Sequence, residues 1–231
     1  MEEGGGLAGM KRFYVMLGVL TLALVAMLVY LLQTNPSAPR AATQAPTTVV
    51  DDGFRGYTLG SDKAPIEVTE YSDFECPFCA SFASVQMPTV REQLIATGQV
   101  RWRYRDFPIP SHQYGRYAAH AAQCVGEQGK FWEMHDQLFF NHGWAQTGKN
   151  PTGLFRDFAK AAGADVARYD ACMASGRFAS RIEFSRQEGL QRNVNGTPTF
   201  FVNGTELHTG NRLPASDDFK RLVDSLAARR K

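Results

Sequence analysis

The pair Cys76 and Cys79 constrains this chain more than any other feature, because it falls where a strand pattern gives way to a helix. Residues 66–71 (IEVTEY) alternate with period two, which predicts a strand with Glu70 on its core-facing side. The turn SDFECPFC follows, and Pro77 suits the first position of a helix, where its missing N–H costs nothing. We therefore expect Cys76 to be the N-cap of that helix.

A sulfur at an N-cap should ionise easily. The unpaired N–H groups of the first turn and the positive end of the helix dipole both favour thiolate over thiol. Cys76 is therefore the predicted nucleophile, and Cys79, one turn later on the same side, is the predicted resolving thiol. Glu75 would work against the thiolate if its carboxylate lies close to the sulfur.

A zinc half-site is the first alternative for this pair. Zinc needs further ligands at suitable spacing, but the remaining cysteines, Cys124 and Cys172, are solitary. The five histidines show no ligand spacing with one another or with the cysteines, so we interpret them as ordinary surface or packed residues. We therefore expect no metal site.

The residues after the pair continue in alternating patterns. A helix should run to about Thr97, although Pro88 should kink or split it. Residues 100–107 (VRWRYRDF) alternate apolar side chains with arginines, which predicts a half-buried strand. Residues 113–192 are helical in pattern and predict a small helical subdomain.

The C-terminal residues predict a hairpin and a last helix. TFFV (199–202) and TELH (205–208) flank Asn203-Gly204, a dipeptide that favours the turn of a two-residue hairpin. Ser216 then precedes two aspartates and an apolar stripe, so we expect it to cap a helix.

The N-terminal region contains an uncharged run, residues 13–32, that is long enough as a helix to span a bilayer core of roughly 30 Å. Lys11 and Arg12 flank it, so we expect residues 1–12 in the cytoplasm and the run as a transmembrane anchor. The alternative is a cleaved signal peptide, for which residues 33–40 offer only poor cleavage sites. In both cases the rest of the chain is exported, where disulfides can persist.

The residues after the anchor divide into a tether and a domain. Residues 33–55 are rich in Pro, Ala and Thr and predict a flexible, extended tether. Residues 56–231 are of single-domain size. The whole chain has 44% hydrophobic and 21% charged residues, which indicates a globular protein. Its net charge of +2 gives no electrostatic reason to expect a nucleic-acid partner.

Cys124 and Cys172 both fall in the predicted helical subdomain of an exported chain. Apart from the Cys76–Cys79 pair, no other cysteine is present, so we expect these two to form a structural disulfide. Closing a loop of about 48 residues contributes around 4 kcal/mol in the chain-entropy model. Two buried free thiols are the alternative.

The motifs together resemble the DsbA-like branch of the thioredoxin superfamily. The order of elements, FECPFC after the first strand and GTPTFFV before the hairpin carry the resemblance, which covers about residues 57–230. Three shorter phrases also match: KAP at 63–65, RDFP at 105–108 and EQGKFW at 127–132. The resemblance implies an α/β, thioredoxin-like fold for residues 56–231, with a helical insertion at about 111–193.

Two further site residues follow from the resemblance. Pro198, preceded by Thr197, matches the family's cis-proline, which lies beside the cysteine pair and presents a backbone edge to the substrate. The residues alone also allow a trans proline at the start of an edge strand. Glu70 matches an acidic residue beneath the active site that can relay a proton to the resolving thiol, while a partly solvated glutamate is its alternative. A purely structural Cys76–Cys79 disulfide would give no reason for the Thr197-Pro198 motif.

Together with the predicted anchor, the resemblance implies a membrane-anchored, extracytoplasmic thiol:disulfide oxidoreductase, periplasmic or on the cell surface, that oxidises exported proteins. Cys76 would be the leaving sulfur, no cofactor is needed, and a quinone-linked membrane partner of the DsbB or vitamin-K-epoxide-reductase type would re-oxidise the pair. We expect a monomer. Because Pro77-Phe78 supplies no cation, whereas the most oxidising relatives carry histidine between the cysteines, Cys76 should be less acidic than theirs.

Three other functions fit the same motifs. A disulfide reductase or an isomerase would use the same site, although the tether leaves no room for the dimerisation domain that isomerases of this type carry. A metal-binding or client-binding thioredoxin-fold module without enzymatic activity is the third.

Overall fold

The computed structural model describes residues 5–34, 43–210 and 212–229. The N-terminal unit consists, in its described part, of the helix α1 (Gly5–Thr34). Its stretch Arg12–Tyr30 is long and apolar enough to cross a membrane. The helix begins before the predicted anchor at residue 13. Residues 35–42 of the predicted tether lie outside the described residues.

A five-stranded mixed sheet forms the centre of the second unit in its described part. The strand order is β1-β3-β2-β4-β5, and β2 pairs with β3 in parallel while the other pairs are antiparallel. The strands are β1 (Tyr57–Leu59), β2 (Ile66–Ser72), β3 (Val100–Asp106), β4 (Thr199–Val202) and β5 (Thr205–Glu206). The sequence patterns do not predict β1, because three residues are too few for alternation to show.

The segment between β2 and β3 is split rather than one continuous helix. It comprises α2 (Pro77–Ser81), a π-helical turn at Phe82–Gln86, α3 (Met87–Val90) and a second π-helical turn at Arg91–Ile95. Pro88 lies in the first turn of α3, so the predicted interruption falls at this proline.

The helical insertion lies between β3 and β4. It contains α4 (Gly115–Gly126), α5 (Phe131–Phe140), a 3-10 turn (His142–Gln146), α6 (Thr152–Ala161), α7 (Val166–Ser175) and α8 (Ala179–Gln191). The predicted disulfide is confirmed, since Cys124 of α4 is bonded to Cys172 of α7 and both are fully buried. One apolar core runs from these helices to Phe74 and Cys79, so the insertion packs directly against the start of α2.

A second core lies against the sheet face that carries Glu70. Val68 and Trp102 of the sheet pack there against the π-helical turns and against Phe219 of the last helix, α9 (Ser216–Ala228). The expectation that Ser216 caps α9 is wrong. The N-cap is Ala215, whose N–H donates to the Asp218 carboxylate at 2.9 Å, so the acidic side chain in the first turn takes over the role of the cap.

Part of the predicted tether contacts the domain. The Val50 N–H donates to the hydroxyl of Ser180 in α8 at 2.7 Å, and Arg181 pairs with Asp52 at 2.7 Å. The Arg181 guanidinium also lies 4.3 Å from the centroid of the Phe54 ring. The predicted flexible tether is therefore wrong for residues from Val50 onward, which contact the domain.

Candidate active site

The turn between β2 and α2 places Cys76 at the N-cap of α2, with Pro77 as the first helical residue. Asp73 organises this turn from three positions upstream. Its carbonyl accepts the Cys76 N–H at 3.0 Å, and its Oδ1 atom accepts the Glu75 N–H at 2.9 Å. The cysteine sulfur is thereby directed toward the unpaired N–H groups of the first turn.

The Cys76 sulfur is surrounded by groups that favour its anion. Both Cys76 and Cys79 are free thiols, and the Cys76 thiol donates to the carbonyl oxygen of Thr197 at 3.3 Å. The pKa of Cys76 falls to about 6, mainly because the Cys79 thiol hydrogen-bonds to the sulfur. The Thr197 hydroxyl and the backbone N–H groups of Cys79 and Phe78 add to this effect, while burial opposes it.

Cys79 has the opposite character. It is fully buried, and burial raises its pKa well above the ordinary value, with the charge on Cys76 adding to the rise. At neutral pH the pair therefore holds one thiolate, at Cys76, and one protonated thiol, at Cys79. This is the division between an attacking and a resolving sulfur.

Thr197 and Pro198 lie beside the pair, and the peptide bond between them is cis. The Thr197 hydroxyl is buried, forms no close hydrogen bond among the described residues, and helps to lower the pKa of Cys76. A cavity of about 340 Å³ opens next to these residues. Its wall includes Phe78, Pro198, Glu206, His208 and Leu213. The Phe78 ring is 65% exposed and stands at the edge of this cavity.

Glu70 lies on β2, where its carboxylate contacts Trp102 of the second core. The residue is 2% exposed, so the alternative of a partly solvated glutamate is wrong. The Trp102 indole N–H donates to its Oε2 atom at 2.9 Å, and burial raises the pKa of Glu70 to about 7. Burial raises the pKa of Tyr104, and the charges of Asp106, Glu70 and Cys79 add to the rise, so both Glu70 and Cys79 act on this buried hydroxyl. A carboxyl with this pKa can exchange a proton near neutral pH.

Sequence reasoning missed a histidine–aspartate pair next to the turn. The Nδ1 atom of His112 lies 2.6 Å from the Oδ2 atom of Asp73, which also accepts the Ile109 N–H at 2.8 Å. His112 is 39 positions beyond Asp73, and the connection from β3 to α4 brings it back to the site. The acidic residue three positions before Cys76 was the available signal, but nothing in the sequence pointed to its partner.

The Glu75 carboxylate binds the backbone at the start of α4. It accepts the Tyr114 N–H at 2.6 Å, at the N-terminus of α4, and burial raises its pKa. The Cys76 pKa of about 6 shows that the adjacent carboxylate does not prevent thiolate formation.

His120 lies beside a cysteine, although the sequence patterns indicated no ligand spacing between the histidines and the cysteines. The Nδ1 atom of His120 is 3.4 Å from the Cys124 sulfur and 3.3 Å from the Met173 sulfur. His120 and Cys124 are four residues apart on α4, a spacing that the sequence already displayed. Because both cysteine sulfurs are joined in the disulfide, this cluster offers no thiolate ligand.

The chain is similar in sequence to proteins of two kinds. Residues 55–225 match the protein family described as Thioredoxin. The chain is 39% identical over 158 residues to the Na(+)/H(+) antiporter NhaA 3 of Salinispora tropica, covering 68% of this chain and 23% of that protein. It is 30% identical over 149 residues to Disulfide bond formation protein D of Bacillus subtilis, covering 63% of this chain and 66% of that protein. The chain thus spans about a quarter of the length of the antiporter relatives that it matches.

The fold is also similar to a solved structure. Oxidised BdbD from Bacillus subtilis superposes with a TM-score of 0.65 at 26% sequence identity, over 73% of this chain and 90% of BdbD. The helical insertion, the cysteine pair at the start of α2 and the residues before β4 fall within the range that matches the family. The chain therefore belongs to the thioredoxin family, in its DsbA-like branch.

Proposed function

We propose that this protein is a membrane-anchored thiol:disulfide oxidoreductase that oxidises the thiols of exported proteins through Cys76 and Cys79. The observation that carries the proposal is the asymmetry of the pair. Both sulfurs are buried, but Cys76 caps a helix and has a pKa of about 6, whereas the pKa of Cys79 is raised well above its ordinary value. A stabilised thiolate at Cys76 favours the reduced state of the pair, and so favours the transfer of its disulfide to a substrate.

The first chemical step is attack on Cys76. In the oxidised protein a substrate thiolate attacks the Cys76 sulfur, the Cys76–Cys79 bond breaks, and the Cys79 sulfur leaves with the electron pair. The buried Cys79 thiolate then takes a proton, for which the Glu70 carboxyl is suited by its burial and its pKa of about 7. The substrate is now held in a mixed disulfide with Cys76.

The second step releases the substrate. A second substrate thiolate attacks the substrate sulfur of the mixed disulfide, and Cys76 leaves as its stabilised thiolate. The substrate gains one disulfide, and the protein is left with the Cys76 thiolate and the Cys79 thiol. The cavity beside Pro198 and Phe78 gives the substrate chain a place to lie during both steps.

The cellular setting belongs to the same proposal. The apolar helix α1 would anchor the chain, with its N-terminus in the cytoplasm and the catalytic domain outside. Re-oxidation of the dithiol would then require a membrane partner of the DsbB or vitamin-K-epoxide-reductase type. Protease protection in spheroplasts or protoplasts tests the topology: we expect cleavage of the domain from outside, and full protection would overturn the outward orientation.

The reduction potential of the purified full chain, measured against glutathione, tests the direction of electron flow. A value well above roughly −200 mV supports an oxidant, and a value near −270 mV would assign a reductant instead. Turnover with a reduced two-cysteine peptide should be lost in Cys76→Ser. Arg156→Gln, an exposed change on α6, should leave turnover as it is. Full turnover in Cys76→Ser would overturn the proposed mechanism.

A further inference from the structure

The Asp73 carboxylate is fully buried, although its charge is costly to bury without compensation. It accepts three N–H groups: those of Glu75 and Ile109 from the backbone, and that of the His112 ring at 2.6 Å. The two backbone donors are neutral, so the charge of Asp73 is met by the imidazole. This arrangement keeps a proton on His112.

The position of Asp73 is itself held from two sides. The backbone of Asp73 binds the turn that carries Cys76, because its carbonyl accepts the Cys76 N–H. Gly115, at the start of α4, packs against the carboxylate, where a Cβ atom would lie only 2.7 Å from Oδ1. Asp73 therefore fixes both the His112 imidazole and the turn that carries Cys76.

We propose that His112, held as an imidazolium by Asp73, is a positioning residue that stabilises the Cys76 thiolate and takes the place of the cation absent from Pro77-Phe78. The proposal rests on the proposed function for its consequence, since a more stable thiolate makes the pair a stronger oxidant.

The charges around His112 support this role. The pKa of His112 is raised mainly by the hydrogen bond to Asp73, against the opposing effect of burial, and the charges of Asp73, Glu75 and Cys76 add smaller increases. Coupling between two titrating groups is reciprocal, so a thiolate that favours the imidazolium is favoured by it to the same extent. His112 also offsets the neighbouring Glu75 carboxylate, which by itself would disfavour the anion of Cys76.

The other histidine of this region does not supply the cation. Burial lowers the pKa of His142, and the charge of His112 lowers it further. At neutral pH the imidazole of His142 is therefore uncharged. The groups that act on His112 are then the Asp73 and Glu75 carboxyl groups and the Cys76 sulfur, with His142 as a neutral ring.

The test measures Cys76 directly and needs no redox substrate. The reduced full chain in detergent is alkylated with iodoacetamide from pH 4 to pH 9, and mass spectrometry confirms labelling at Cys76. His112→Gln, which can still donate to Asp73 but carries no charge, should raise the midpoint of the rate profile by about one pH unit. His112→Lys, which restores a cation, should bring the midpoint back toward the wild-type value. Arg156→Gln removes one exposed cation from α6 and should leave the midpoint where it is.

A double-mutant cycle separates charge from structure. In an Asp73→Asn background His112 loses the anion that keeps it protonated, so His112→Gln should shift the midpoint less than it does in the wild type. An unchanged midpoint in a folded His112→Gln variant overturns the proposal. It is equally overturned if His112→Gln shifts the midpoint and His112→Lys does not restore it, because the effect is then one of packing.

The two proposals fail separately. If the wild-type chain does not oxidise a peptide but the alkylation midpoint moves as expected, the role of His112 stands and the oxidase function falls. If the chain oxidises peptide and the midpoint is insensitive to His112, the oxidase function stands and the role of His112 falls.

Discussion

The Cys76 sulfur lies 3.3 Å from the carbonyl oxygen of Thr197, although the two residues are 121 positions apart. The contact joins the first turn of α2 to the residues that lead into β4, which pairs with β2 in the sheet. The nucleophile therefore faces a backbone edge that the same sheet holds in place. In the proposed function a substrate chain would enter along that edge and reach the sulfur.

Replacing Thr197 tests the contribution of its hydroxyl. Thr197→Val keeps the shape of the side chain but removes an oxygen that helps to lower the pKa of Cys76. We expect this pKa to rise by about half a unit to one unit, measured by thiolate absorbance at 240 nm. Thr199→Val is the matched control, because the Thr199 hydroxyl donates to the Gly196 carbonyl and not to the sulfur. An equal shift in both variants would assign the effect to the loop.

Glu70 predicts how stability depends on pH. Burial raises its folded pKa to about 7, so its contribution to stability is fully present below pH 4.5 and is lost as pH rises through 7. Glu70→Gln replaces the titrating carboxyl with a neutral amide, so the variant does not lose this stability at high pH. The variant should therefore gain about 3 kcal/mol relative to the wild type between pH 4.5 and pH 8, measured by urea unfolding of the oxidised chain. Parallel pH profiles for the two chains would show that Glu70 does not titrate there.

The lowered pKa of Cys76 predicts that the stability of the reduced chain depends on pH in the opposite direction. Its folded pKa of about 6 lies below the ordinary value near 9, so its contribution is present above pH 9 and is lost as pH falls through 6. The unfolding free energy of the reduced form, relative to that of the oxidised form, should rise between pH 6 and pH 9 by at most about 1.4 kcal/mol per pH unit. The reduced Cys76→Ser variant keeps Glu70 but lacks this thiolate, so the stability of the reduced wild type relative to the reduced variant should show the same rise, and a difference that does not change with pH would contradict the assignment.

The disulfide between α4 and α7 should be a large source of stability. It closes a loop with a sequence separation of 48, for which the chain-entropy model gives about 4 kcal/mol. The double variant Cys124→Ala/Cys172→Ala should lose about that amount in urea unfolding. The pKa of Cys76 should be unchanged, since the disulfide lies within the helical insertion. A change in that pKa would indicate that the insertion transmits strain to α2.

Two features of the fold, β1 and the cap of α9, could not be predicted from local sequence patterns. β1 was missed because a three-residue strand has no period, and it is recognised only by its pairing with β3. The cap of α9 was assigned to Ser216 because a hydroxyl before two aspartates fits the usual rule. In the folded chain the Ser216 N–H instead donates to the Gln86 side chain, 130 positions away, and Asp218 serves the helix start.

The sequence by itself determined the features that arise within a few residues of each other. Cys76 caps α2 because Pro77 has a fixed φ and no N–H to satisfy, and Asn203-Gly204 turns the chain between β4 and β5 because both residues adopt positive φ. The tertiary structure alone decided which distant groups surround the sulfur. Thr197 and His112 arrive there through the sheet and the β3–α4 connection, and electrostatic effects on a buried thiol depend on such distances and not on separation along the chain.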